Sequence, residues 1–382
     1  MLFLVLKEVI TIKKILFGIT SLTLGGAERV LVDISNKLSE KYDITIFSIY
    51  DNGELKNDLN KNVKFKALYN CRYDELTKLQ KIWIPIKILL FSKIIYNKKI
   101  KQNYDTEIAF LEGPITRLFS TKNKDVHKIA WIHNDIEKVF GNDLKSKIKK
   151  YIDKKIYKKY NDLVFVSQDN MEKFQNIYND LNTENMHVIY NYIDKDLVIK
   201  KSNYNIKVEF DYNSINFLTV CRLVKQKAID RFIRVHSKLI KQGLKHKVYI
   251  IGDGPEKENL QKLIKQENVE DTFVLLGKKE NPYPYIKNAN YFCLLSEFEG
   301  YGMVLEEAKI LNKPIIITNT AARECIENYP KALILENSED EIYDGLYKLL
   351  NDNDDKIFNN TQTSTEYDNT EKLQKIIELV GD

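Results

Sequence analysis

Short apolar runs alternate with amphipathic stretches along most of the chain. Lys14–Thr20, Asp43–Ser48, Lys128–Ile132, Leu163–Ser167, Ile215–Arg222, Lys247–Ile251, Phe273–Leu276, Tyr291–Leu295 and Pro314–Thr318 are rich in Ile, Val, Leu and Phe. Runs of that length and composition suit parallel strands buried on both faces. Between them lie helix-period patterns. In Ala27–Leu38, Val30, Leu31, Ile34 and Leu38 share one face, and Ile229–Gln242 and Glu371–Val380 also read as helices. From Met303 to Leu311 the stripe is Met303, Val304, Ala308, Ile310 and Leu311. Glu307 falls inside it, while Glu306 and Lys309 point the other way and are expected in solvent. The rhythm breaks at 196–212, which is polar and irregular. Strand–helix alternation on both sides of a break predicts an α/β chain of two doubly wound, Rossmann-like domains facing a central cleft. Their expected bounds are 13–195 and 214–365, with a linker at 196–213. A terminal helix within 366–382 is left able to return to the N-terminal domain.

Two stretches differ in texture. Leu76–Lys101 carries the apolar, aromatic run Ile82–Phe91 among Lys78, Lys81, Lys87, Lys93, Lys98, Lys99 and Lys101, with no acid between Glu75 and Asp105. Lys145–Lys159 carries Lys147, Lys149, Lys150, Lys154, Lys155 and Lys158 at helical spacing. One reading is a pair of solvated helices that pack one face on a core. The other is docking on an anionic membrane surface, where each basic residue contributes about 1 kcal/mol. The periodicity leaves both open. At 382 residues the chain can bury two cores. A net charge of +5 is too modest to point to nucleic acid. Cys71, Cys221, Cys293 and Cys325 are scattered, which suits neither a zinc site nor a disulfide framework and fits a reducing compartment. No apolar run reaches the roughly 18 residues of a spanning helix. Met1–Leu6 lacks the basic start of a signal peptide and reads as an extension.

The densest candidate chemistry is Ser296–Ala308. Glu299 sits in a loop with Gly300 and Gly302, just before a helix N-terminus that favours anions. Glu307 lies on an apolar face, where a carboxylate is costly unless something donates to it. Taken alone, two converging carboxylates suggest acid–base hydrolysis. Gly25 and Gly26 separate the first strand from its helix, but the Gly-x-Gly-x-x-Gly of dinucleotide folds is missing. His133 closes a strand, at the end where open α/β sheets bind ligands.

At Arg222-Leu-Val-Lys-Gln-Lys227, Gly252-Asp-Gly-Pro255 and Glu299-Gly-Tyr-Gly-x-x-x-x-Glu307, the chain resembles the retaining glycosyltransferases of the GT-B type, family four (group 1). The likeness extends through Gly25-Gly26-Ala-Glu28, Trp131-Ile-His133, Val166-Ser167 and Asn191-Tyr-Ile-Asp194. It implies that Arg222 and Lys227 hold the diphosphate of a nucleotide-sugar donor and offset the charge that grows on it. Glu299 would bind donor-sugar hydroxyls, Glu307 the ribose hydroxyls, and His133 would reach toward the reacting centre. Gly25, Gly26, Gly252, Gly254, Gly300, Tyr301 and Gly302 complete the implied donor-binding set. Two departures stand out: Ala228 where the family usually has Gly, and Ala321-Ala-Arg-Glu324 where it often has glycines. The expected activity is retaining, metal-independent transfer of a hexosyl group from a UDP-sugar, itself a substrate, so that no cofactor is implied. The expected acceptor is a lipid-linked glycan in capsule or other surface-polysaccharide assembly, handled at the inner face of the cell membrane by a cytoplasmic, peripheral enzyme. A glycoside hydrolase would leave Arg222 and Lys227 without a role. Asp352-Asn-Asp354 matches a metal-binding Asp-x-Asp only formally. A nucleotide-sugar epimerase and a non-catalytic nucleotide-sugar binder are the alternatives.

Overall fold

A computed structural model describes residues 12–51, 53–73, 75–100, 103–121, 125–133, 144–352, 358, 367 and 369–381. The Met1–Leu6 run, Lys101, Asn134, Asp135, the Lys145 side chain and most of the Asp352–Asp354 match lie outside the described residues. The chain divides into two compact units, Met1–Tyr192 with Thr370–Asp382, and Ile193–Asn369.

The first unit contains β1 (Lys14–Ile19), α1 (Gly26–Leu38), β2 (Asp43–Tyr50), β3 (Lys64–Tyr69), α2 (Lys78–Lys99), β4 (Thr106–Ala109), α3 (Pro114–Phe119), β5 (His127–Ile132), α4 (Leu144–Tyr157), β6 (Asp162–Phe165), α5 (Gln168–Ile177) and β7 (Met186–Val188). The second contains α6 (Lys195–Ser202), β8 (Ile215–Val220), α7 (Ile229–Lys241), β9 (His246–Ile251), α8 (Lys257–Glu267), β10 (Phe273–Gly277), α9 (Tyr283–Asn288), β11 (Tyr291–Leu294), α10 (Met303–Ile310), β12 (Ile315–Thr318), β13 (Ala332–Leu335) and α11 (Glu339–Asp352). The last helix, α12 (Thr370–Gly381), belongs to the first unit, as the terminal helix was left free to do. There Ile376 and Val380 are buried, and Lys13 Nζ donates to the Gly381 carbonyl at 2.7 Å.

Every paired strand is parallel, which is why the runs read as continuous rather than alternating. The sheet orders are β3-β2-β1-β4-β5-β6-β7 and β10-β9-β8-β11-β12-β13. The order reverses between β1 and β4 in the first sheet and between β8 and β11 in the second. Such switch points open a crevice at the strand C-termini. The stretch read as a linker, 196–213, is built into the second unit. Its helix α6 starts on the Asp194 side chain, which accepts from Leu197 N–H at 2.9 Å, and it buries Val198. Phe210 then packs on Tyr249 with ring centroids 4.5 Å apart.

Helix α2 is apolar on two sides. Ile88 and Tyr96 are buried, while Leu79, Ile82, Trp83, Ile86, Leu90 and Ile94 are exposed, Trp83 to 61% and Leu79 to 69%. Pro85 lies inside the helix, and Phe91 departs from helical geometry at a kink. The inner side is anchored by charge. Tyr96 donates to buried Glu107, which pairs with Lys128 at 2.6 Å, and Lys128 also donates to the Phe119 carbonyl at 2.9 Å.

The second unit buries a histidine chain. His246 Nδ1 donates to the Leu244 carbonyl (2.9 Å), leaving Nε2 to accept from His236 Nδ1 (2.8 Å). His236 Nε2 then accepts from the Thr272 hydroxyl (2.9 Å). Burial pushes His236 down to about 2 and His246 to about 4. Both folded values lie below the unfolded value of about 6.5, so the unfolded chain takes up protons first and stability falls with pH below that point. Between pH 6.5 and 5 the two rings are expected to cost on the order of 2–3 kcal/mol. Thermal midpoints of the wild type and of His236→Asn across that window check this. Equal slopes would refute it.

Candidate functional site

The second sheet brings the resemblance motifs to its switch point. β8 and β11 are neighbours, with Tyr291 opposite Phe217 and Phe292 opposite Leu218, so the loops after them leave one edge side by side. The loop after β8 carries Arg222 and Lys227, and the loop after β11 carries Glu299. Lys227 forms an ion pair with the buried Glu299 carboxylate, which also accepts from the Ser296 hydroxyl at 2.8 Å. Arg222 is exposed and makes no side-chain bond to a described residue. A cation and a carboxylate already paired thus stand in one loop pair with an unspent guanidinium.

Backbone contacts hold that arrangement. Glu297 N–H donates to the Gln226 carbonyl at 2.9 Å, and Gln226 Nε2 donates to the Phe298 carbonyl at 2.9 Å, so the two loops are clamped on both sides of Glu297. Thr318 donates to the Ser296 carbonyl (2.6 Å), Arg231 to the Leu295 carbonyl (2.8 Å) and Asn337 to the Glu297 carbonyl (2.8 Å). The Gly252–Pro255 turn after β9 supports the Arg222 loop from the other side. A Cβ on Gly252 would fall 1.8 Å from the Cys221 carbonyl oxygen, and one on Gly254 2.4 Å from that of Leu223. These two glycines let the turn close on the loop. Leu223 N–H then donates to the Asp253 carbonyl, and Glu256 N–H to that of Leu223, both at 3.0 Å.

The rest of the opening stretch departs from the helical wheel. Glu306, expected in solvent, is 1% exposed. It accepts from the Tyr301 hydroxyl and pairs with Lys309 at 3.4 Å. Lys309 also donates to the Cys325 carbonyl (2.7 Å). Helix α10 has eight residues, and both its sides are covered, so polarity did not mark its outer face. Glu307 is half-buried and accepts from the Tyr283 hydroxyl at 3.0 Å, which meets the requirement that an inward carboxylate find a donor. Burial raises the Tyr301 phenol well above the ordinary value. The Tyr301 side chain is turned inward, 5% exposed and bonded to Glu306. Gly302 caps α10 with φ 72°, the left-handed region.

Ala228 takes the same left-handed region, with φ 47°, at the start of α7. This explains why glycine is usual there: a Cβ in that region costs roughly 1–2 kcal/mol. Ala228→Gly is expected to raise stability by about 0.5–1 kcal/mol, after subtracting the extra freedom of the unfolded glycine. Urea midpoints measure it, and a lower midpoint would count against strain.

In the first unit, Gly25 and Gly26 are exposed at the N-terminus of α1, beside the switch point of that sheet. His133 follows β5. Its backbone N–H donates to Glu112 (2.7 Å), its ring lies 4.7 Å from Phe110, and its Nε2 is buried with no partner among the described residues. Burial pushes the imidazole down to about 3, so it is neutral at pH 7. Sequence reasoning passed over Gln226, Ser296 and Tyr283. Gln226 sat inside a quoted motif, where an uncharged residue between two lysines was its only signal. Tyr283 had none.

The family described as Glycosyl transferases group 1 matches residues 200–365. The chain is 28% identical over 342 residues to the N-acetylgalactosamine-N,N'-diacetylbacillosaminyl-diphospho-undecaprenol 4-alpha-N-acetylgalactosaminyltransferase of Campylobacter jejuni, covering 87% of this chain and 89% of that one. It is 24% identical to the Escherichia coli O-antigen biosynthesis glycosyltransferase WclY, covering 80% of each. The crystal structure of Anabaena HepE in complex with UDP and glucose superposes with a TM-score of 0.74 at 16% identity, covering 96% of this chain and 98% of that one. Residues 200–365 thus match the group 1 glycosyl transferases, and the two parallel-sheet units are those of the GT-B fold.

Proposed function

We propose that the chain moves one sugar from a UDP-linked donor to a lipid-linked glycan in surface-polysaccharide assembly, with retention of configuration and without a metal. The observation that carries this is the Lys227–Glu299 pair beside an exposed Arg222 at the switch point of the second sheet. As the sugar–phosphate bond breaks, negative charge grows on the leaving diphosphate, and Arg222 and Lys227 offset it. These two cations supply the charge that a metal ion supplies elsewhere. Glu299 and Glu307 grip hydroxyls of the sugar and the ribose, with N–H groups at Gly300–Gly302 and the Gly252–Gly254 turn around the diphosphate. UDP is chosen because HepE was solved with UDP and glucose. The lipid-linked acceptor is chosen because the Campylobacter relative is named for a diphospho-undecaprenol substrate. Incubation with a series of nucleotide sugars is expected to give slow hydrolysis of one UDP-sugar. Release of an isomerised sugar would make the chain an epimerase, and binding without turnover would make it a non-catalytic binder.

The enzyme is proposed to work at the cytoplasmic face of an anionic membrane. No helix among the described residues is long and apolar enough to cross one. Instead, α2 shows water an apolar stripe bordered by Lys87 and Lys93, and α4 shows Leu144, Ile148 and Tyr151. Both helices pack on one hydrophobic cluster, through Ile88 and Ile156. The α4 stretch is the weaker attractor, since Lys154 and Lys158 are paired with Asp180. Lys87, Lys93, Lys98 and Lys99 make no ion pair with a described residue. Replacing all four by Gln is expected to weaken binding to phosphatidylglycerol vesicles by roughly 10²–10³-fold. Unchanged co-sedimentation would remove the membrane from the proposal.

A further inference from the structure

The outward face of α2 does not end at a flat stripe. A cavity of about 430 Å³ opens between the end of β3 and the first turns of α2, walled by Tyr69, Cys71, Leu76, Trp83, Ile84 and Leu90. That volume falls in the range of roughly 300–1,000 Å³ typical of small-molecule sites. Among the described residues that line it, the polar side chains besides Tyr69, Cys71 and the Trp83 indole are Gln80 and Lys87, both exposed. Nearby, Lys81 lies over the Tyr73 ring at 5.0 Å, and Lys78 and Lys87 make no ion pair with a described residue. The walls are therefore hydrocarbon and the mouth is cationic.

Few ligands suit that combination. A sugar would leave most of its hydroxyls unpaired against Leu76, Ile84 and Leu90, at a cost of a few kcal/mol each. A second copy of this chain would bring lysines against lysines. An amphiphile with an anionic head and one apolar chain satisfies both parts. We propose that this groove is a single-lipid site. It takes the first hydrocarbon segment of a phosphate-linked isoprenoid beneath Trp83, with the phosphate at Lys87. The proposal rests on the lipid-linked acceptor of the previous section and deepens it: the acceptor's chain is gripped by the protein as well as by the bilayer.

The chain has two tryptophans, and one reports on the groove. Trp83 is 61% exposed and lines it, whereas Trp131 is 1% exposed and gives a constant background. Farnesyl phosphate, kept below its micellar concentration, is expected to blue-shift the emission saturably and to give a matching calorimetric isotherm. Inorganic phosphate is expected to give neither. Leu90→Glu, at an exposed wall position, should weaken the affinity at least tenfold, and so should Lys87→Glu at the mouth. If phosphatidylglycerol vesicles bind but farnesyl phosphate does not, the groove proposal is overturned while surface docking stands. If neither binds and a soluble glycan serves as acceptor, the lipid-acceptor reading falls with it. A ligand-independent shift that grows with protein concentration, with dimers in sedimentation, would show that a second copy fills the groove and would also overturn the proposal.

Discussion

Arg222→Ala is expected to lower sugar transfer by about 10²–10³-fold while leaving the urea midpoint nearly unchanged. The rate loss is the size expected when one preorganised group facing the developing charge is removed. Stability is spared because the Arg222 side chain is exposed and makes no bond to a described residue. Lys227→Ala should behave differently. It removes the partner of a buried carboxylate, so a comparable rate loss should come with a stability loss of about 1–3 kcal/mol. Full activity in Arg222→Ala with a native midpoint would show that the site has been assigned to the wrong residues.

The second large effect concerns the first unit. Glu107→Ala is expected to destabilise by about 3–5 kcal/mol, because it strands the Lys128 ammonium where almost no water reaches. Tyr96 would lose its acceptor in the same step, loosening the inner side of α2. The double variant Glu107→Leu with Lys128→Met should recover much of the loss, since well-packed apolar side chains often match a buried ion pair. Denaturant titrations of the three proteins decide the matter. A single variant that costs under 1 kcal/mol would mean that the pair is reached by water.

Much of this architecture could be read from the chain because parallel strands buried on both faces leave an unbroken apolar signature. The Gly252–Gly254 turn and the Glu299–Gly302 loop were legible for a related reason. Close backbone approach at Gly252 and Gly254, and a left-handed φ at Gly302, admit glycine and little else, so the residue type itself reports the geometry. Other features were hidden by the assumption that a helix has one wet face. That rule placed Glu306 in solvent, yet α10 is covered on both sides, and Tyr301 and Lys309 supply the polar partners that Glu306 needs. The same rule left α2 undecided, because its two apolar sides cancel in any wheel. The stretch 196–213 looked like a linker because α6 is short and polar, and only its tertiary contacts give it a place. The Gln226 clamp was unreadable for a simpler reason: main-chain carbonyls accept its bonds, and sequence does not mark them.

The return of α12 to the first unit has a consequence for how the protein is made. The chain leaves that unit after Tyr192, completes the second unit, and comes back at Thr370. Asn369 donates to the Ile193 carbonyl, so the two ends of the second unit meet. Residues 193–369 are therefore an insertion with adjoining ends, able to fold once the ribosome has released them. The first unit, although synthesised first, must wait for the final residues, because Ile376 and Val380 are part of its packing. On the ribosome the second unit should acquire protease resistance first, and a nascent chain arrested before Thr370 should expose the first unit to chaperones.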